Sequence, residues 1–105
     1  MIRHVVNVSS EASSIYREGA ELLKALAHPG RLQILHELAA GDRCVHELTE
    51  ILGLAQPTIS QHLKTLRGAR LVTATRAGRE NRYALADEHV TDIVNSVIDH
   101  AHEDL

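Results

Sequence analysis

The chain has 105 residues, no Trp or Phe and only two Tyr, so it makes one domain whose core is built from Leu, Ile, Val and Ala. Its single cysteine, Cys44, excludes an internal disulfide and a four-thiolate zinc site within one chain; no apolar run can span a bilayer and no signal segment opens the sequence, so a cytoplasmic setting without a membrane partner is expected. The formal charge of −3 is sorted: residues 1–55 sum to −2, residues 56–82 to +5, and residues 83–105 to −6 with no Lys or Arg, which predicts an anionic partner for the middle and a cation for the end.

Residues 1–9 read as a loose arm ahead of one domain over residues 10–105. From Ser10 to about His28 the pattern is helical, with Ser10 or Ser13 as cap and Ile15, Leu22, Leu23 and Leu26 as the apolar stripe. Pro29 breaks that helix and fits the first turn of the next. Arg31 to Ala40 reads as a helix carrying Leu32, Ile34, Leu35 and Leu38, ended by Gly41.

Residues 44–67 are the most informative. Val45, Leu48 and Leu52 share one helical face; Gly53 and Leu54 follow; then Ile59, Leu63 and Leu66 share another, in a helix started by Pro57 with Gln56 as cap. This is a helix-turn-helix pattern. The second helix offers Gln56, Pro57, Thr58, Ser60, Gln61 and Lys64 outward, short hydrogen-bonding groups with one cation that suit base edges and phosphates in a major groove of double-stranded DNA. Leu71 to Thr75 and Arg82 to Leu85 have strand character around an Ala77-Gly78 turn, giving a hairpin whose tip carries Arg76 and Arg79. A basic hairpin after a recognition helix is a wing, and its arginines suit a phosphate backbone or minor groove. The fold class is therefore mainly α with a small β-hairpin, a winged helix-turn-helix.

From Asp87 to about Glu103 the pattern is helical again, with a wide apolar face of Val90, Ile93, Val94, Val97, Ile98 and Ala101. His89 and His100 differ by only about 20° around the helix but lie about 16 Å apart along it, so one copy cannot bring both to one ion. An antiparallel second copy would set Asp87 and His89 of one chain against His100 and Glu103 of the other, four N/O donors twice per dimer, enough for tetrahedral zinc. The plainer readings are an Asp87 that only caps its helix and a solvated face of ordinary helical pairs. His102 faces away from His100.

The chain resembles the ArsR/SmtB family of metal-sensing winged-helix repressors in Leu23-Lys24-Ala25-Leu26-Ala27-His28-Pro29-Gly30-Arg31-Leu32, Cys44-Val45-His46-Glu47-Leu48, Ser60-Gln61-His62-Leu63-Lys64 and the hairpin from Arg76 to Tyr83. Its last helix resembles the family's zinc-sensor pattern at Asp87, His89, His100 and Glu103, and Arg43 to Leu48 with Gln56-Pro57 are most similar to actinobacterial zinc-responsive members. The resemblance implies a homodimer joined by its first and last helices. It implies an apo dimer that binds a palindromic operator and represses transcription, and interfacial zinc that lowers DNA affinity. It also implies a link from the non-ligating nitrogen of His100 to the backbone near Arg70, outside the metal's own shell.

Family members that bind soft metals use two or more cysteines before the recognition helix; here that segment holds only Cys44 and His46. They point apart on a helix, and a second metal site there needs a loop, or the arm with His4, to supply further ligands; otherwise Cys44 packs in the core and His46 faces solvent. Nickel or cobalt is the rival metal, with His4, His102 or Asp104 as extra ligands. His28, His36 and His62 are not expected to be ligands; His62 is expected to touch DNA or face solvent. A winged-helix DNA binder that answers a non-metal signal is the alternative function, and a dimerising module leaves the basic wing unexplained. An enzyme is not expected, because four ligands would close the metal site and no nucleophile triad, phosphate loop or H-E-x-x-H motif is present.

Overall fold

The computed structural model describes residues 10–103. Helix α1 (Ser10–Leu26) leads to α2 (Pro29–Leu38), a short strand β1 (Arg43–Cys44), α3 (Val45–Leu52), α4 (Gln56–Gly68), strands β2 (Val72–Ala77) and β3 (Glu80–Leu85), and α5 (Glu88–Glu103). The arm over residues 1–9, with His4, and Asp104 lie outside the described residues.

Local chemistry sets these limits. His28 has extended backbone, and its Nδ1 accepts the Gly30 N–H at 3.0 Å, which caps α2 with Pro29 in its first turn. Glu47 Oε1 accepts the Cys44 N–H at 2.9 Å and closes the first turn of α3. Gly53, at φ 69°, ends that helix in the left-handed region a side chain disfavours. The cap of α4 is Ala55, not Gln56; Gln56 and Pro57 occupy the first two helical positions, where a missing N–H costs no intrahelical bond.

Two helices end earlier than their periodicity predicts, at Leu26 and Leu38. The hairpin turn falls at Gly78-Arg79 rather than Ala77-Gly78, because Ala77 pairs with Glu80 and Gly78 takes the positive φ of 67°. Leu71 precedes the strand; its N–H donates to Leu66 O at 2.9 Å. A third strand adds to the expected hairpin: Arg43 pairs with Tyr83 and Cys44 with Arg82, giving an antiparallel sheet in the order β1-β3-β2.

The core lies where α2, α3 and α4 meet the sheet and α5. Ile34, Leu35, Leu48, Ile59, Leu63, Leu66, Val72 and Val94 are fully buried. Each such side chain stabilises the fold by about 1.5–3 kcal/mol relative to exposure. Only Ala25 and Leu26 of α1 are buried among its described side chains, whereas Tyr16 is 71% and Leu23 59% exposed. The molecule is accordingly elongated: its radius of gyration is 16.4 Å, against about 13 Å for a compact chain of this length.

Candidate functional site

Burying Ile59, Leu63 and Leu66 turns the opposite face of α4 to solvent. Gln56, Pro57, Thr58, Ser60, Gln61 and Lys64 are all exposed on it. The β2–β3 hairpin follows and presents exposed Arg76 and Arg79 at its tip, where Arg76 Nε donates to Gly78 O at 2.9 Å. Among the described residues, Lys64, Arg67, Arg76 and Arg79 pair with no carboxylate, so their charges are available to an anion.

Two other members of the basic segment behave differently. Arg70 has φ 62°, a left-handed conformation for a non-glycine, just past α4, and its guanidinium lies 3.4 Å from Glu18 of α1. Arg82, on β3, is engaged by Asp42 and Glu47 and has Glu80 nearby. Its Nη2 donates to Asp42 O and Glu47 Oε1, each at 3.1 Å. The Cys44 backbone hydrogen bond and the Arg82 guanidinium hold the Glu47 carboxyl below its ordinary range against the opposing effect of desolvation. The charge count reads Arg82 as a free cation; the fold neutralises it.

His62 does not face solvent freely. Its half-buried ring packs on His28 with centroids 4.6 Å apart. Desolvation first, then the neighbouring His28 and Arg31, push its pKa down. Neither the His62 contact nor the Arg82 contact has a local sequence signal, because His28 and Glu47 lie 34 and 35 residues from their partners.

The histidine-bearing face of α5 is open. Asp87, His89, His100 and Glu103 are all exposed. Asp87 Oδ1 accepts the Val90 N–H at 3.1 Å, so it caps α5, and it lies 3.7 Å from His89 Nδ1. Among the described residues of one chain, no three His, Cys, Asp or Glu side chains converge as a metal site. Cys44 is buried at the head of α3, while exposed His46 lies 3.8 Å from Glu50 on the helix surface.

One groove lies between α1 and the start of α5. Leu22, Leu23 and Leu26 of α1 and Ile93 of α5 form its apolar walls, and Arg70, Asp87 and His89 reach its rim. The segment that ends the recognition helix and one half of the predicted ligand set therefore share a surface. Among the described residues, no helix is long and apolar enough to cross a membrane.

A helix-turn-helix with an exposed polar recognition helix and a basic two-stranded hairpin is a winged helix-turn-helix domain. Residues 28–74 match the family described as bacterial regulatory protein, arsR family. The chain is 51% identical over 84 residues to the HTH-type transcriptional repressor SmtB of Mycobacterium tuberculosis (strain H37Rv), covering 80% of this chain and 62% of that protein. The chain thus spans less than two thirds of that relative. It is 36% identical over 104 residues to the transcriptional repressor SmtB homolog of Synechocystis sp., covering 97% and 79%. In structure it is similar to the homodimeric winged helix-turn-helix DNA-binding domain of a possible ArsR-family transcriptional regulator from Mycobacterium bovis, with TM-score 0.83, 34% identity, and 96% and 94% coverage. The chain belongs to the arsR family of bacterial regulatory proteins, a family of regulators rather than enzymes.

Proposed function

We propose that the chain is a zinc-responsive transcriptional repressor. Two copies pair through α1 and α5, place both recognition helices and wings on a palindromic operator, and lose DNA affinity when zinc is held between them. Residues 10–105 form the DNA-binding and metal-sensing unit of this reading.

The observation that carries the reading is the groove shared by Arg70, Asp87 and His89. Exposed Tyr16, Leu23, Ile93 and Val97 on α1 and α5 supply apolar area for a second copy. Antiparallel pairing of the last helices brings His100 and Glu103 of the second copy to Asp87 and His89. Two imidazoles and two carboxylates suit zinc. The same pairing carries the second copy's His100 toward the Arg70 backbone, so the donors and the end of α4 share one conformational equilibrium. If the donors converge best in the arrangement that fits DNA poorly, zinc weakens DNA binding, and DNA weakens zinc binding by the same factor.

The test is a titration of the promoter-bound protein with zinc, nickel and cobalt. The reading expects zinc to release DNA at one equivalent per protomer. Release by nickel or cobalt alone transfers the site to those ions. Operator affinity unchanged by all three ions overturns metal sensing and leaves a winged-helix regulator with another signal.

A further inference from the structure

Arg82 is the basic residue of the wing that carboxylates engage. It lies on β3, opposite Thr75 of β2 and Cys44 of β1, so it belongs to the stem of the hairpin rather than its tip. Its side chain is 30% exposed and bridges two places outside the wing. One is the Asp42 carbonyl, at 3.1 Å, in the turn that leads into β1; the Asp42 carboxylate is also 3.4 Å away. The other is Glu47 Oε1, at 3.1 Å, in the first turn of α3. That same oxygen accepts the Cys44 N–H at 2.9 Å. A single carboxylate oxygen thus joins the cap of the helix-turn-helix unit, the edge strand and the wing. The planar guanidinium suits such a junction, because its fixed donors meet several acceptors at set angles where an ammonium would not. Nearby Arg43 makes a separate bridge to Glu37 of α2 at 3.1 Å, which anchors β1 to the helices from the other end.

We propose that Arg82 is a positioning residue for DNA binding: through Asp42 and Glu47 it fixes the angle of the wing to α3 and α4, and so places Arg76 and Arg79 on the duplex without touching it. The proposal rests on the DNA-binding part of the function proposed above and is independent of the metal. The depressed pKa of Glu47 agrees with a carboxylate held charged at this junction.

Two arms test it. The first uses the free protein: residual dipolar couplings compare the orientation of β2–β3 with α3–α4 in the wild type and in Arg82→Gln and Glu47→Gln. The amide introduced by Glu47→Gln retains an acceptor for the Cys44 N–H but lacks the charge. The expected result is a reoriented or less ordered wing in both variants with the α3–α4 couplings preserved. An unchanged wing overturns the proposal whether or not DNA is bound. The second arm measures affinity for a duplex spanning the promoter of the chain's own gene. Arg82→Gln should weaken it about 3- to 10-fold, and should have no further effect once Arg76 and Arg79 are both alanine, since coupled positions are non-additive. Glu47→Gln should also weaken it, although it removes a negative charge that DNA would repel. Additive losses, or tighter binding by Glu47→Gln, would show Arg82 to be a direct phosphate contact and overturn the proposal. A wild type that fails to bind the duplex while the first arm succeeds counts against the DNA reading, not the clamp.

Discussion

His62 of the recognition helix packs on His28, the cap of α2, with ring planes inclined at 57°. Gly30 makes room for this contact: a Cβ at that position would lie 2.8 Å from His62 Nε2. The contact ties α4 to α2 and couples it to pH. The folded state lowers the pKa of His62 from 6.5, so the unfolded chain takes up a proton first as the solution is acidified. The contribution of His62 to stability is complete above about pH 6.5 and is lost as the pH falls toward its depressed folded-state value. Urea unfolding at about pH 7.5 and pH 5.5 should show the wild type weaker in acid, with a smaller difference in His62→Gln. Equal pH dependence in the two proteins would remove His62 from the account.

Packing between α3 and α4 holds the reading face in place. Leu63 is 1% exposed, so Leu63→Ala should cost about 2–5 kcal/mol in denaturant unfolding through lost burial and the cavity left behind. Ile51, exposed on α3, is the control: Ile51→Ala should change stability by less than about 0.5 kcal/mol.

Arg79 and Gln61 should separate by the kind of affinity they supply. Arg79→Ala should weaken binding to every duplex alike and flatten the dependence of log K on log salt by about 0.9. Gln61→Ala should instead shift base preference, costing about 1–3 kcal/mol at one operator position. Competition among operator variants at several salt concentrations reads both effects. A uniform loss for Gln61→Ala would place that side chain on phosphate.

His100→Ala should leave operator binding by the metal-free protein within about twofold and abolish its release by zinc, which for coupled sites of this kind amounts to about 5- to 150-fold in affinity. Fluorescence anisotropy of labelled operator with and without zinc measures it. Collapse of metal-free binding would make His100 a structural residue.

The helices were legible because burial imposes a period. Ile59, Leu63 and Leu66 fall on one face in the sequence and are all buried in the fold. The wing was legible because Gly78 and the β-prone flanks mark a hairpin. Strand β1 was not, since two residues, Arg43 and Cys44, are too few to show any period, and they become a strand only by pairing with β3. Ala55 escaped notice as a cap because it makes no side-chain cap bond to signal its place.

Charge was legible as a sum and misleading as a site. Arg82 raised the local count like Arg79 did, yet its acceptors at Asp42 and Glu47 come from a segment that chain order does not bring near. On α5, residue spacing alone put His89 and His100 on one side of the helix and too far apart for one ion. Among the described residues of one chain no three such side chains converge, and the proposed four-donor set calls for a second copy.

That need for two chains can be measured directly with a mixture of His89→Ala and His100→Ala protomers refolded together. Each variant alone lacks one histidine in both sites of its dimer. The mixed dimer has one site missing both histidines and one site complete. The account predicts that tight zinc binding, absent from either variant alone, returns in the mixture at one ion per mixed dimer. Zinc binding that stays lost in mixed dimers, or that survives in either variant by itself, would contradict a cation held between two copies.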